Sequence, residues 1–439
     1  MRAERAALAV VAAALLVVGG CGSKEPQPVP AAPAGVQLFG TDGNMFDTLG
    51  AGFSDPNAIS GMVGTAPLTP LTEDFKQRIR GVDPAVKEYT YAGEAYDAVV
   101  ITGLAVQLAR TSEPLIVAKY INGVTNLGPG GVECTTIKDC LDAMAAGEDI
   151  AYRGVAVRGG FTDVGEPSVA SYGTLHFGRG DKIDTGKTEF VSAGNADTAS
   201  KQPAPDPGIG KVKGDPLRLG ILLSGSGSLA TTSLPIWAGA HLAIKEFNAV
   251  GGALGRPIEY EDADDGTDPA KASASFDKLV ADRIGIIIGP NFSGGSTALI
   301  PKAIATGRIL FSPSATSAKL TTFDDRGQFF RSAPSDAFQS DALADVIMRG
   351  GERRIFIIAR ADPYGTGLLD GVSENLVKAG VKKVDIGTAT YQPDQTDFGQ
   401  IARAAREFGP GAILVAGFEE SAKVIAALQA AGISFTRAA

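Results

Sequence analysis

The sequence predicts an α/β protein built of doubly wound, mainly parallel sheets, and three observations predict it. Short apolar runs recur, and they are continuous rather than alternating, as in strands covered on both faces. Stretches with helical spacing of apolar residues separate most of them. The residues just after the runs are rich in Gly, Pro, Ser, Thr and Asp, the punctuation of strand-to-helix turns. The 439 residues, 44% hydrophobic and 20% charged, are enough for two or three domains and exclude collagen, coiled coil and wholesale disorder. With 40 basic against 49 acidic residues the net charge is -9. Nucleic acid is therefore not an expected partner, nor is an anionic membrane surface bound through charge.

The first element is an address. Arg2 and Arg5 precede an apolar run from Ala6 to Val18, then Gly19, Gly20 and Cys21. The run is short for a membrane span and suits the core of a signal peptide, residues 1–21. The small-small-Cys ending resembles a bacterial lipoprotein box, with Val18 where Leu is commoner. In that reading Cys21 is lipidated, anchoring the protein to a membrane at the outer face of the cell envelope. An ordinary cleaved signal with an incidental cysteine is the competing reading. Residues 22–35, rich in Pro, Ala and charged or polar residues, read as a spacer.

Two patterned segments follow, 36–183 and 217–439, separated by a tract, 184–216, without hydrophobic periodicity that reads as a linker. The first segment opens on a strand at Val36–Phe39, and helices are expected at Leu71–Arg80, Tyr91–Arg110 and Pro114–Ile121. Cys134 and Cys140 are the remaining cysteines; in an exported chain they read as a disulfide, since a metal site would need ligands the vicinity does not offer. The second segment holds strands at Leu217–Leu223, Ile284–Ile288, Ile309–Phe311, Ile355–Ala359 and Ala412–Val415. A helix carrying Trp237, Ala240, Ile244 and Phe247 follows the first of these.

In open parallel sheets, ligands bind beyond the carboxyl ends of the strands, where helix N-termini present free N–H groups. The turns there contain Ser293, Ser314 and Thr316, then Asp362-Pro363-Tyr364, Gly417-Phe418 and Gly40-Thr41-Asp42. Hydroxyls for an anion, an acid for a cation and aromatics for an apolar body describe a zwitterionic amino acid. Helix capping is the plainer role for Ser293 and Thr316. An enzyme is not expected. His176 and His241 are the only histidines and lie far apart, so neither a metal site nor a catalytic base is expected. Gly180-x5-Gly186-Lys187-Thr188 resembles a phosphate-binding loop but has one residue too many and lies in the linker. No partner base accompanies Ser224-Gly225-Ser226. No cofactor is expected.

These residues reach a family. Ser312-Pro313-Ser314-Ala315-Thr316, Tyr364-Gly365-x-Gly367 and Gly40-Thr41-Asp42-Gly43 resemble the periplasmic leucine/isoleucine/valine-binding proteins, the type 1 substrate-binding components of amino-acid ABC transporters. So do Asn248-x3-Gly252-x2-Gly255, Phe330-Arg331-x-Ala333-Pro334-Ser335-Asp336-x2-Gln339 and Glu94-Ala95-Tyr96-Asp97. The resemblance implies two doubly wound three-layer lobes joined by a hinge of three crossing strands, closing on a ligand that a permease then receives. By position it implies that Ser293 and Thr316 hold the ligand carboxylate, with the Ser314 carbonyl and Asp42 taking the ammonium. Tyr364 and Phe418 would contribute from the second lobe, and Thr232 and Trp237 would lie near the first-lobe wall. Phe418 stands where the best-known members have Tyr, and Asp42 is one methylene shorter than the Glu of some relatives. Helix core is the competing role for Trp237, and turn capping for Tyr364.

The order of the segments departs from the family, in which the stretch resembling 217–439 comes first. The expectation is a circular permutation, with a fragment of a tandem array as the alternative. Lobe one is then 217–336 with 66–163, and lobe two is 337–439 with 36–65 and 164–183. Branched-chain amino acids are the default ligands, with an amide or an aromatic acid left open. A sensor of the same fold, feeding a receptor or kinase, is the rival to the transporter role.

Overall fold

The computed structural model describes residues 35–128, 131–202, 205–206 and 215–437. The signal peptide, Cys21 and nearly all of the spacer lie outside the described residues. The first segment supplies strands β1 (Gln37–Gly40) and β2 (Val63–Pro67) and helices α1 (Glu73–Arg80), α2 (Ala92–Ala109) and α3 (Pro114–Ile121). Next come β3 (Val132–Cys134), α4 (Ile137–Ala146), β4 (Ile150–Tyr152), β5 (Val169–His176) and β6 (Glu189–Gly194). The second begins with β7 (Arg218–Leu223), α5 (Leu234–Ala249), β8 (Glu259–Asp264), α6 (Pro269–Ala281), β9 (Ile286–Ile288), α7 (Ser293–Thr306), β10 (Ile309–Ser312) and β11 (Phe329–Arg331). It ends with α8 (Asp336–Arg349), β12 (Ile355–Arg360), α9 (Pro363–Lys378), β13 (Ile386–Tyr391), α10 (Gly399–Phe408), β14 (Ala412–Ala416) and α11 (Ser421–Ala430).

Two large sheets organise these elements. The five-stranded sheet is parallel, in the order β8-β7-β9-β10-β11. Numbered from β7, this is the doubly wound order 2-1-3-4-5. The seven-stranded sheet runs β13-β12-β14-β1-β2-β5-β6; the β2–β5 and β5–β6 pairs are antiparallel, so β5 alone runs against the others, and every other pair is parallel. Numbered from β12 and carried from β14 to β1, its parallel part is again 2-1-3-4-5. Helices cover both faces of each sheet's continuous apolar strands. Leu219, Ile221 and Leu223 face α2 and α5, while Leu222 faces α6 and α7. Ile355, Ile357 and Ala359 face α8 and α9, while Phe356 and Ile358 face α10 and α11.

Each sheet is the centre of a lobe. The chain passes between the lobes three times, from β2 into α1, from Phe161 into β5, and from β11 into α8. Strand β1 of the first segment is a central strand of the second segment's sheet, in register Gln37↔Ala412 to Phe39↔Leu414. The two segments therefore assemble within one chain. Cys134 and Cys140 are disulfide-bonded and join β3 to α4 beside the small β3–β4 sheet.

The tract 184–216 departs from the expectation of a structureless linker. It carries β6, paired with β5 from Thr174↔Glu189 to Val169↔Gly194. Phe190 and Val191 on it are about half exposed. An edge strand open to water needs no apolar alternation, so the sequence carries no burial pattern there. The same reason hid β8 and β13, whose residues are mostly exposed or half-buried.

Candidate functional site

The strand order places a site before any side chain is considered. In a 2-1-3-4-5 sheet the crevice lies beyond the carboxyl ends of strands 1 and 3, where consecutive connections leave for opposite faces. Those points are β7 and β9 in one lobe and β12 and β14 in the other, and a single cavity of about 360 Å³ opens between them. It is lined by Leu229–Ile236 residues after β7, by Asn291, Phe292 and Ser293 after β9, and by Ser314 and Thr316 after β10. The other lobe contributes Asp42 and Gly43 after β1, Tyr364 after β12 and Phe418 after β14.

On the first lobe the hydroxyls are fixed by the turns that carry them. The Ser312 hydroxyl donates to the Pro290 carbonyl at 2.6 Å and accepts the Ala315 N–H at 3.0 Å. Ser293, the first residue of α7, accepts the Ser317 N–H at 3.1 Å, and the Ser314 hydroxyl donates to Asn291 at 2.8 Å. Asn291 is held in turn by Ser233, at 2.7 Å, and through its N–H by Asp265, at 2.9 Å. Burial lifts the Asp265 carboxyl to about 6.

On the second lobe Asp42 is the centre. Tyr91 and Tyr364 each donate a hydroxyl to its carboxylate at 2.7 Å. Both phenols are pushed well above their ordinary range, first by burial and then by the Asp42 charge, and so stay protonated as donors. Burial also raises the Asp42 carboxyl. Tyr364 accepts the Gly43 N–H at 3.0 Å and stacks on Phe418, ring centroids 5.1 Å apart. A Cβ on Gly43 would stand 2.6 Å from the Gly417 carbonyl and 2.8 Å from the Tyr364 hydroxyl, so this approach admits only glycine.

Seven of the expected residues meet at this cavity: Asp42, Thr232, Ser293, Ser314, Thr316, Tyr364 and Phe418. Trp237 does not. It is half-buried against the first-lobe core and lines a separate surface recess with Val82, Asp83 and His241. Leu234, Pro235 and Ile236 at the start of α5 take the cavity wall, and at about 100° per residue the helix turns the next side chain away. Tyr91, Asn291, Phe292, Leu229 and Phe46 belong to the lining and were not anticipated. Tyr91 has φ 62° just before α2, and nothing in its local sequence ties it to Asp42. Asp336 is also buried beside the site. Its N–H donates to the Thr316 carbonyl at 2.7 Å, and burial, then the neighbouring Asp42, holds its carboxyl well above the usual range. Among the described residues no group of three or more His, Cys, Asp or Glu could hold a metal ion.

An anion-accepting rim of hydroxyls and helix N-terminal amides thus faces a carboxylate across an apolar belt. The sequence pattern of the periplasmic binding protein family matches residues 216–439. The chain belongs to the periplasmic binding protein family. Its relatives include a Leu/Ile/Val-binding protein of Rhizobium johnstonii, 28% identical over 42% of this chain and 49% of that protein. A leucine-specific-binding protein of Salmonella typhimurium is 30% identical over 44% of this chain and 59% of its own. A substrate-binding protein of a chemotactic signal transduction system in Halobacterium salinarum is 31% identical over 37% of this chain and 42% of its own. The chain thus spans about half the length of the curated relatives it matches. Among solved structures, a branched-chain amino acid transporter substrate-binding protein of Streptococcus pneumoniae with bound isoleucine shares 27% identity. It covers 50% of this chain and 63% of its own, with TM-score 0.43. The family is one of solute-binding proteins, not enzymes, and implies an extracytoplasmic location.

Proposed function

We propose that this protein captures an α-amino acid, of the branched-chain class, between its two lobes and delivers it to an ABC transporter permease. The observation that carries the reading is the opposition of Asp42 to the Ser293, Ser314 and Thr316 turns across one cavity. The hydroxyls and free N–H groups suit a carboxylate; Asp42, with the Ser314 carbonyl, suits an ammonium. Leu229, Phe292, Phe46 and Phe418 suit an aliphatic side chain. Closure of the lobes would exclude water and strengthen each charge-assisted hydrogen bond. Ligand then shifts an open–closed equilibrium by the contacts that are better when closed. The Leu/Ile/Val-binding relatives support the substrate class. A sensing role is the second reading, favoured by the chemotactic relative.

The chain order is read as a circular permutation of this fold. The seven-stranded sheet acquires the same 2-1-3-4-5 order as its partner only when β14 is followed by β1. The Val36 N–H donates to the Ser434 carbonyl at 2.8 Å and the Thr436 N–H to the Val36 carbonyl at 3.0 Å, so the two ends of the described chain run side by side. Adjacent surface termini are the condition under which permutation is tolerated. Cys21 is proposed as the lipid anchor on the residues around it.

Thermal unfolding with each of the twenty amino acids tests the function. Saturation at about a hundred times Kd should add about 2.7 kcal/mol, with leucine, isoleucine and valine giving the shift. A cooperative transition that no amino acid moves would refute the ligand class.

A further inference from the structure

Arg331, at the end of β11, is 1% exposed and is not among the residues lining the cavity. Its guanidinium has five N–H donors, and all five are used. Nε donates to Glu166 at 2.9 Å, and one terminal nitrogen donates to Glu166 and, at 2.8 Å, to the Thr321 hydroxyl. The other donates to the carbonyls of Ala315 and Ser317, at 3.2 and 3.0 Å. Those carbonyls flank Thr316, whose own carbonyl is taken by the Asp336 N–H. The turn that presents Ser314 and Thr316 to the cavity is therefore held from behind, carbonyl by carbonyl.

The far end of the ion pair matters as much. Glu166 belongs to a tight turn closed by the Thr162 N–H on the Glu166 carbonyl at 2.8 Å, and the Arg331 N–H bonds the Gly165 carbonyl at 3.0 Å. That turn is the second lobe crossing, and Arg331 opens the third. One buried side chain thus connects the hydroxyl-rich turn to two of the three segments about which the lobes would rotate.

Resting on the ligand site assigned above, we propose that Arg331, paired with Glu166, is a positioning residue for ligand. It holds the 312–317 turn in its binding shape and ties that shape to the crossings. Removing Arg331 alone strands the buried Glu166 charge and confounds stability with positioning. The informative variant is the pair Arg331→Met with Glu166→Leu, which removes both charges at once and can restore a stable core. Its unliganded thermal midpoint should return to within a few degrees of the wild type, whereas Arg331→Met alone falls further. Affinity for the amino acid found in the panel, measured by calorimetry, should stay at least tenfold weaker than wild type. Affinity that recovers together with the midpoint would overturn the proposal, because the pair would then be structural only. If the double variant does not fold, Arg331→Lys takes its place. It keeps a charge opposite Glu166 but offers three donors from one point, so tenfold weaker binding is expected near the wild-type midpoint, and wild-type affinity overturns the idea. Amide exchange of residues 314–317 in unliganded protein tests the same claim without ligand. Faster exchange in the midpoint-matched variant supports it and unchanged exchange sinks it, even if the wild type binds none of the amino acids and the proposed function itself fails.

Discussion

Asp42 illustrates what single residues contribute here. Its carboxylate accepts two tyrosine hydroxyls, which orient it, and it lines the cavity together with Ser293, Ser314 and Thr316. Asp42→Ala should weaken amino-acid binding by about 2–5 kcal/mol, much of it from leaving an ammonium unpaired. Titration calorimetry showing unchanged affinity would remove Asp42 from the site. Glu94 makes a different prediction. Burial raises its carboxyl from 4.5 to about 8. A carboxyl with a folded pKa above its unfolded one keeps a proton that unfolding would release, so its contribution to stability declines as pH rises from about 4.5 through 8. Glu94→Gln should therefore raise the thermal midpoint at pH 8.5, by roughly 1 °C per kcal/mol relieved in a protein of this size, and give no gain at pH 4. Equal effects at both pH values would contradict the buried-charge account.

At the scale of elements, the continuous apolar strands were legible because burial on both faces leaves no room for alternation. The helices 114–121 and 92–109 were legible from their apolar content. The edge strands β6, β8 and β13 were not, because water satisfies one side of each. The start of α5 shows the limit of assigning side chains by position. Trp237 and Ile236 are neighbours in sequence, yet the helix sends one to the surface recess and the other to the cavity. The Cys134–Cys140 bond closes a loop of only a few residues, sequence separation 6, beside the small β3–β4 sheet. Its reduction should cost about 2 kcal/mol on the chain-entropy relation. Neither cysteine lines the cavity, so ligand affinity measured in reductant should stay within about twofold; a larger loss would mean that the small sheet communicates with the cleft.

For the whole molecule, the order of elements along the chain and their order in space are separate facts. A chain in which residues 215–437 precede residues 35–202, joined through the adjacent ends near Ser434 and Val36, keeps every strand pair of both sheets. It should fold cooperatively, with a thermal midpoint within a few degrees of the present order and the same amino-acid preference. Failure to fold, under conditions where the present order does, would refute the permutation reading. The crossings also belong to this scale. Arg331 and Glu166 come from opposite segments of the sequence, and only the docking of one segment on the other makes them a pair.

From the sequence alone come the α/β class, the strands buried on both faces, and seven of the residues that surround the cavity. The class, the strands and six of these residues depend on local periodicity or on position just after a strand, which neighbouring residues reveal; Thr232 came from the family resemblance. Only the tertiary structure decided that Tyr91 and Tyr364 share Asp42, that Trp237 points away, and that one buried arginine holds the hydroxyl-rich turn with two donors and reaches Glu166 and Thr321 with the other three. Those facts join residues tens to hundreds of positions apart, and such pairs are set by sheet order and lobe docking, which local spacing does not encode.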